Sequence, residues 1–117
     1  MMQQVPFYDL DITGGFWRER QQTVIDKTVW AVYDRFKETG RIDTMDCQKH
    51  EIKPHIFWDS DVAKWIEGVA YLTKVKKEPE LEKIVDHVVD LIEKNQLENG
   101  GAKFYINLHG NAKRVFL

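Results

Sequence analysis

Three stretches of this 117-residue chain carry apolar residues at helical spacing, and the connections between them are one long and one very short. That pattern limits the fold more than any single motif does, because each stripe must be buried against another helix. In residues 16–39, Trp17, Val24, Thr28, Val32 and Phe36, joined by Ile25 and Val29, lie on one wide face. Arg18, Glu19, Lys27, Asp34 and Lys37 fall mostly elsewhere. In residues 60–76 the stripe is Val62, Trp65, Ile66, Val69 and Thr73, with Tyr71 and Leu72 beyond it. Residues 79–96 set Leu81, Ile84, Val85, Val88, Leu91 and Ile92 against a polar face of Glu80, Glu82, Lys83 and Asp86. The expectation is an all-α chain of about three amphipathic helices.

The punctuation fits that reading. Val5 to Ile12 alternates loosely and contains Pro6, so residues 1–15 read as a short extended arm. Thr13 ahead of Gly14-Gly15 is positioned to cap the first helix, and Thr39-Gly40 to end it in a left-handed turn. Pro79 suits a first helical position. Asn99-Gly100-Gly101 stops the third helix, so residues 16–99 form the helical domain and residues 100–117 an irregular tail. Lys77-Glu78-Pro79 makes helices two and three a tight hairpin, whereas residues 41–58 form a long connection of the kind that often carries function. In a toroid of alternating outer and inner helices, this asymmetry gathers the long loops at one end, where a pocket belongs.

Charge narrows the partners. Seventeen basic residues stand against nineteen acidic ones, a net charge of −2, so bulk electrostatics recruits neither nucleic acid nor an anionic membrane. The longest apolar runs are far too short to span a bilayer, and the first residues lack the basic and apolar blocks of a signal peptide. Cys47 is the one cysteine and has no internal disulfide partner, which fits a reducing, cytoplasmic setting.

The chemistry-bearing residues concentrate in Phe57-Trp58-Asp59-Ser60-Asp61. Asp59, Ser60 and Asp61 can accept hydrogen bonds from the open N–H groups of a helix's first turn. As an acid/base pair, Asp59 and Asp61 are poorly placed, since two helical residues diverge by roughly 200° about the axis. Capping is the simpler role for them, with binding a ligand or orienting a pocket residue as the functional alternative. Trp58, with Phe57 beside it, offers an aromatic face that suits either a pocket wall or ordinary packing. Trp58, Asp59 and Asp61 are therefore the candidate substrate-binding residues. Cys47, His50 and His55 share the long loop, but their spacing matches no established zinc pattern and a fourth ligand is missing; a solvated loop is the reading. The glycine pairs lack the strand-before, helix-after frame of a phosphate loop, and no Gly-x-Ser-x-Gly or His-Glu-x-x-His motif is present. No catalytic residue and no metal ligand is assigned.

Five fragments in order carry a resemblance. They are Gly15-Phe16-Trp17-Arg18-Glu19-Arg20, Thr39-Gly40-Arg41-Ile42-Asp43, Trp58 to Glu67, Glu78-Pro79-Glu80-Leu81-Glu82 and Val89-Asp90-Leu91-Ile92-Glu93. Together they resemble the N-terminal part of the β-L-arabinofuranosidase family of glycoside hydrolases (family 127 type). The resemblance runs from Ile12 through Asn99 and then weakens. Where the family usually reads Gln, two residues, Asp-Gly-Tyr-Leu, this chain has Gln96-Leu97-Glu98-Asn99-Gly100-Gly101-Ala102. The resemblance implies the first part of an (α/α)6 barrel, or six-hairpin toroid, with helices one and three outer and helix two inner. It places the long loop, the tail and the Asp59–Asp61 end of helix two on the pocket face.

The resemblance also implies a chemistry. Members of the family hydrolyse terminal β-L-arabinofuranosyl residues with retention, using a zinc-bound cysteine as nucleophile and a glutamate as acid/base. Those groups belong to the later half of the barrel and have no counterpart in this sequence, so no cofactor is assigned to this chain, and zinc only to the full-length family. The expected function is scaffold and one pocket wall, inactive by itself, with an arabinose-containing glycan as partner. Helix two carries more apolar surface than two neighbours cover, so self-association is also expected. The alternatives are a standalone helical module that self-associates or binds sugar without cleaving it, or a gene remnant without function.

Overall fold

A computed structural model describes residues 1–46, 55 and 57–96, and every regular element among them is helical. A 3-10 turn, Phe7–Asp9, interrupts the N-terminal arm. Helix α1 (Gly15–Thr23) runs through a π-helical segment, Val24–Thr28, into α2 (Val29–Glu38). A second 3-10 turn, Asp43–Met45, follows, and then come α3 (Trp58–Val75) and α4 (Pro79–Lys94). No helix among the described residues is long and apolar enough to cross a membrane.

The π segment is the feature that sequence periodicity does not foresee. Two threonines compete there for backbone carbonyls: Thr23 Oγ1 donates to Glu19 O at 3.0 Å and Thr28 Oγ1 to Thr23 O at 3.5 Å, a pattern that loosens the helical ladder. The wider turn accommodates one extra residue, about 100° of rotation on an α-helical wheel. Its consequence is a correction to the expected face. Ile25, Val29 and Phe36 are buried, but Trp17 is 69% exposed and Val24 38% exposed. Residues ahead of the π turn are rotated off the stripe that residues behind it present.

The helix starts and stops divide in the same way. Thr13 does not cap α1; Gly14 holds that position in extended geometry, without a side-chain bond, and Gly15 enters the helix at φ +68°. At the other end Gly40 does what its sequence position promises. At φ +80° it lets its own N–H reach Lys37 O (3.1 Å) and the Arg41 N–H reach Phe36 O (2.8 Å). These are the two bonds of a Schellman motif. Pro79 occupies the first turn of α4 as expected. Asn95 ends α4, buried, with its Nδ2 donating to Leu91 O at 2.8 Å. The glycine stop expected at Asn99-Gly100-Gly101 lies outside the described residues.

The core sits where α2 and α4 flank α3. Val29, Phe36, Ile42, Met45, Val62, Trp65, Val69, Leu81 and Val88 form one buried cluster, with Val62 and Val88 fully inaccessible. Each buried aliphatic side chain of this kind contributes about 1.5–3 kcal/mol relative to exposure. Trp65 is the centre. Its ring stacks on Tyr33 with centroids 5.4 Å apart, meets Phe36 edge-on at 6.4 Å, and its indole N–H donates to Val29 O at 3.0 Å. A buried indole needs such an acceptor. Outside the core, Lys76 ties the short α3–α4 connection to the π segment by pairing with Asp26 at 3.2 Å and with Glu78 at 2.6 Å. These exposed pairs orient more than they stabilise.

Candidate functional site

The first turn of α3 and the chain just after α2 meet at an open cleft of about 490 Å³. From α3 it is lined by Trp58, Ser60, Asp61 and Lys64; His55 and Phe57 come from the approach to the helix, and Arg41 from across the gap. Phe57 takes the N-cap position, without a side-chain cap bond, and the Asp61 N–H makes the first helical bond, to Phe57 O at 3.0 Å. The Trp58 N–H donates to His55 O at 3.1 Å, and the Phe57 N–H to His55 Nδ1 at 3.3 Å. These bonds hold the turn that presents Trp58.

Asp59 and Asp61 part company. The Asp59 carboxylate accepts the Ser60 N–H at 2.7 Å and so covers one open group of the first turn, while Asp59 is not among the residues that line the cleft. Burial pushes its carboxyl above the usual range, and the Ser60 bond only partly opposes this. Asp61 instead lines the cleft and accepts from Arg41 Nε at 3.3 Å. Two residues apart on one helix, the two carboxylates point to different surroundings and do not flank a common point. Capping is therefore shared out differently from the expectation: Asp59 serves the helix, and Asp61 serves the cleft.

Arg41 is the residue that sequence reasoning passed over. Its backbone is pinned by the Schellman bond to Phe36, and its Nη1 donates to Thr39 Oγ1 at 2.7 Å. The guanidinium carbon lies 5.6 Å from the centre of the Phe36 ring and 5.1 Å from that of Trp58, within cation–π range of both. One side chain thus joins the end of α2, the wall aromatic and the cleft carboxylate. The only local signal for it was its place directly after a helix-ending glycine; its partner stands twenty positions on.

Of the loop trio, His55 is exposed and lies against Phe57 with centroids 5.4 Å apart; Cys47 and His50 lie outside the described residues. Among the described residues no group of three or more His, Cys, Asp or Glu side chains is gathered that could hold a metal. A second, more apolar groove of about 370 Å³ runs between the N-terminal arm and the far end of α3. There Lys74 Nζ holds the arm through Leu10 O at 2.9 Å and Asp11 at 3.2 Å, and Phe7 meets Tyr71 edge-on at 4.8 Å.

Against known families, residues 9–111 match the β-L-arabinofuranosidase GH127 catalytic domain. The chain belongs to this family. A non-reducing end β-L-arabinofuranosidase of Bifidobacterium longum subsp. longum is 29% identical over 115 residues, covering 79% of this chain and 18% of its own length. Among solved structures, a GH127 β-L-arabinofuranosidase from Geobacillus stearothermophilus T6 superposes with a TM-score of 0.76 at 28% identity, over 89% of this chain and 18% of that one. The chain therefore spans about a fifth of the length of each relative. With its helical hairpin and structural match, this GH127 chain forms the first part of an (α/α)6 barrel.

Proposed function

We propose that this chain supplies scaffold and one glycan-facing wall to a GH127-type barrel, with a terminal β-L-arabinofuranosyl group as the sugar it faces. The observation that carries the reading is the meeting of Trp58, Asp61 and Arg41 at the cleft beside the start of α3. In a member of this family, an aromatic face held beside a fixed polar pair suits a sugar ring. In this reading Trp58 stacks on the ring, Asp61 accepts from a sugar hydroxyl, and Asp59 acts indirectly by holding the turn that presents both. Bond cleavage belongs to the rest of the barrel, with the zinc-bound cysteine and glutamate that the family uses. The chain alone binds but does not hydrolyse.

The test is saturation-transfer NMR of the chain with methyl β-L-arabinofuranoside. Ring-proton transfer is expected for the native chain and is lost in Trp58→Ala. Equal transfer in the two proteins, or none in either, would refute the wall.

A second reading has its own observation. Phe7, Leu10, Phe16, Trp17 and Tyr71 are all about half exposed or more, a large apolar surface for one small domain. On this basis the chain also self-associates, with the arm and α1 as the contact region. A single species at monomer mass in light scattering would sink that reading.

A further inference from the structure

The N-terminal arm is held to α3 at the surface and across a long gap in sequence. Lys74 Nζ donates to Leu10 O at 2.9 Å and to the Asp11 carboxylate, 63 positions away, at 3.2 Å. Phe7 leans edge-on against Tyr71 at 4.8 Å. Arg18 Nη1 adds a bond to Ile12 O, long at 3.5 Å. Residues 1–20 are all exposed, and so are Tyr71 and Lys74. Exposed ion pairs of this kind are weak, so the latch is one that opens readily. Between the arm and α1 stand Gly14 and Gly15. Gly15 has φ +68°, and a side chain at either glycine would meet no packing neighbour within 4 Å. The junction is therefore a hinge of unconstrained backbone. Directly behind it Phe16 and Trp17 meet edge-on at 5.1 Å, both exposed. The closed chain latches its arm but leaves this aromatic pair in water.

We infer that two copies of this chain exchange their arms: each arm latches onto Lys74 and Tyr71 of the other copy, and the Phe16-Trp17 pairs of both are buried at the junction. The inference rests on the second reading above, that the arm and α1 form the contact region of a self-association, and it names what passes between the copies. The latch is the same in the closed chain and in the exchanged pair, so exchange gives up no contact; that is why such swaps are a low-cost route to dimers. The gain is specific to the pair. From Asp11 to Gly15 the backbone spans at most about 14 Å. An arm latched on the other copy therefore brings that copy's α3 within this distance of the first chain's α1, and two-fold symmetry does the same in reverse. The same span ties α1 to α3 within each closed chain, so the two α1 starts are drawn together. Their aromatic surface then leaves water, which the closed chain does not achieve.

The experiment uses two whole-chain variants, Asp11→Lys and Lys74→Asp, each of which sets like charges against one another in its own latch. Both positions are exposed, so the fold is kept, and circular dichroism checks this. Only a mixed pair with exchanged arms restores opposite charges in both latches. The variants are mixed in urea and refolded together, one of them ¹⁵N-labelled, and the dimers are weighed by native mass spectrometry. Random pairing makes about one half of the dimers mixed. Exchange is expected to raise this to about four-fifths, a bias of roughly fourfold, as two weak exposed pairs imply, and added salt should reduce the bias. Dimers in the mixture but in neither variant alone would support exchange most directly. If the native chain dimerises and the mixed fraction stays at one half, or the mixture stays monomeric, the arm remains on its own chain; exchange is overturned and self-association stands. A native chain found only at monomer mass removes both.

Discussion

Trp17 and Trp65 look alike in the sequence, each on an apolar helical stripe, and the structure assigns them opposite weights. Trp65 is 7% exposed and Trp17 is 69% exposed. In Trp65→Phe the stacked contact with Tyr33 largely survives, while the 3.0 Å bond from the indole N–H to Val29 O is lost. That bond is worth about 1 kcal/mol, and the missing part of the ring adds about 1–2 kcal/mol for lost burial and the space left behind. The expected cost is therefore about 2–3 kcal/mol. Trp17→Phe removes little buried surface and should stay within about 0.5 kcal/mol. Urea unfolding followed by far-ultraviolet circular dichroism compares both variants with the native chain without relying on tryptophan emission. With a slope of about 1–2 kcal/mol per molar urea, the Trp65 variant should lose about 1–3 M in midpoint while the Trp17 variant barely moves. Equal shifts, or a Trp65→Phe cost below about 1 kcal/mol, would refute the assignment of α3's tryptophan as the centre of the core and the π segment as the cause of Trp17's exposure.

Gly40→Ala forces a side chain into the left-handed region at φ +80°. It should cost about 1 kcal/mol or more in the same urea assay and broaden the Arg41 side-chain NMR signals, because the turn that aims Arg41 is disturbed. The Asp59 carboxyl is raised by burial, so its contribution to stability is complete below its unfolded value and is lost as pH rises through its folded value. Asp59→Asn should therefore flatten that part of the stability–pH curve and be at least as stable as the native chain at neutral pH; a neutral-pH loss in thermal melts would contradict this. Trp17→Glu should shift the chain toward monomer in light scattering, since it places a charge on the exposed apolar surface, and an unchanged mass distribution would remove α1 from the contact region.

How much of this was legible depends on how local the cause was. The stripes of α3 and α4 follow directly from residue spacing, and Gly40 and Pro79 announce a helix end and a helix start because each has a backbone property that few residues share. Thr13 was misleading because a good capping side chain does nothing unless the chain ahead of the helix brings it to the open N–H groups, and here Gly14 occupies that place. Asn95 was missed because a side chain bonding back one turn has no sequence signature beyond its type. The π segment was invisible to a wheel of fixed 3.6-residue period, which assumes the very register that Thr23 and Thr28 upset. In the cleft, Trp58 and Asp61 could be read from the helix start they occupy, but Arg41 could not, since its significance lies in a neighbour brought up by the fold.

The π segment has one more effect. Because it separates two registers within a single rod, Val29 and Phe36 behind it pack into the cluster around Trp65, while Phe16 and Trp17 ahead of it stay outside that cluster. Deleting a single residue between Thr23 and Thr28 would merge the two registers and swing the Phe16-Trp17 pair around the axis toward the side occupied by Ile25 and Val29. One residue of chain length thus decides whether those two aromatics serve the interior of this molecule or its surroundings.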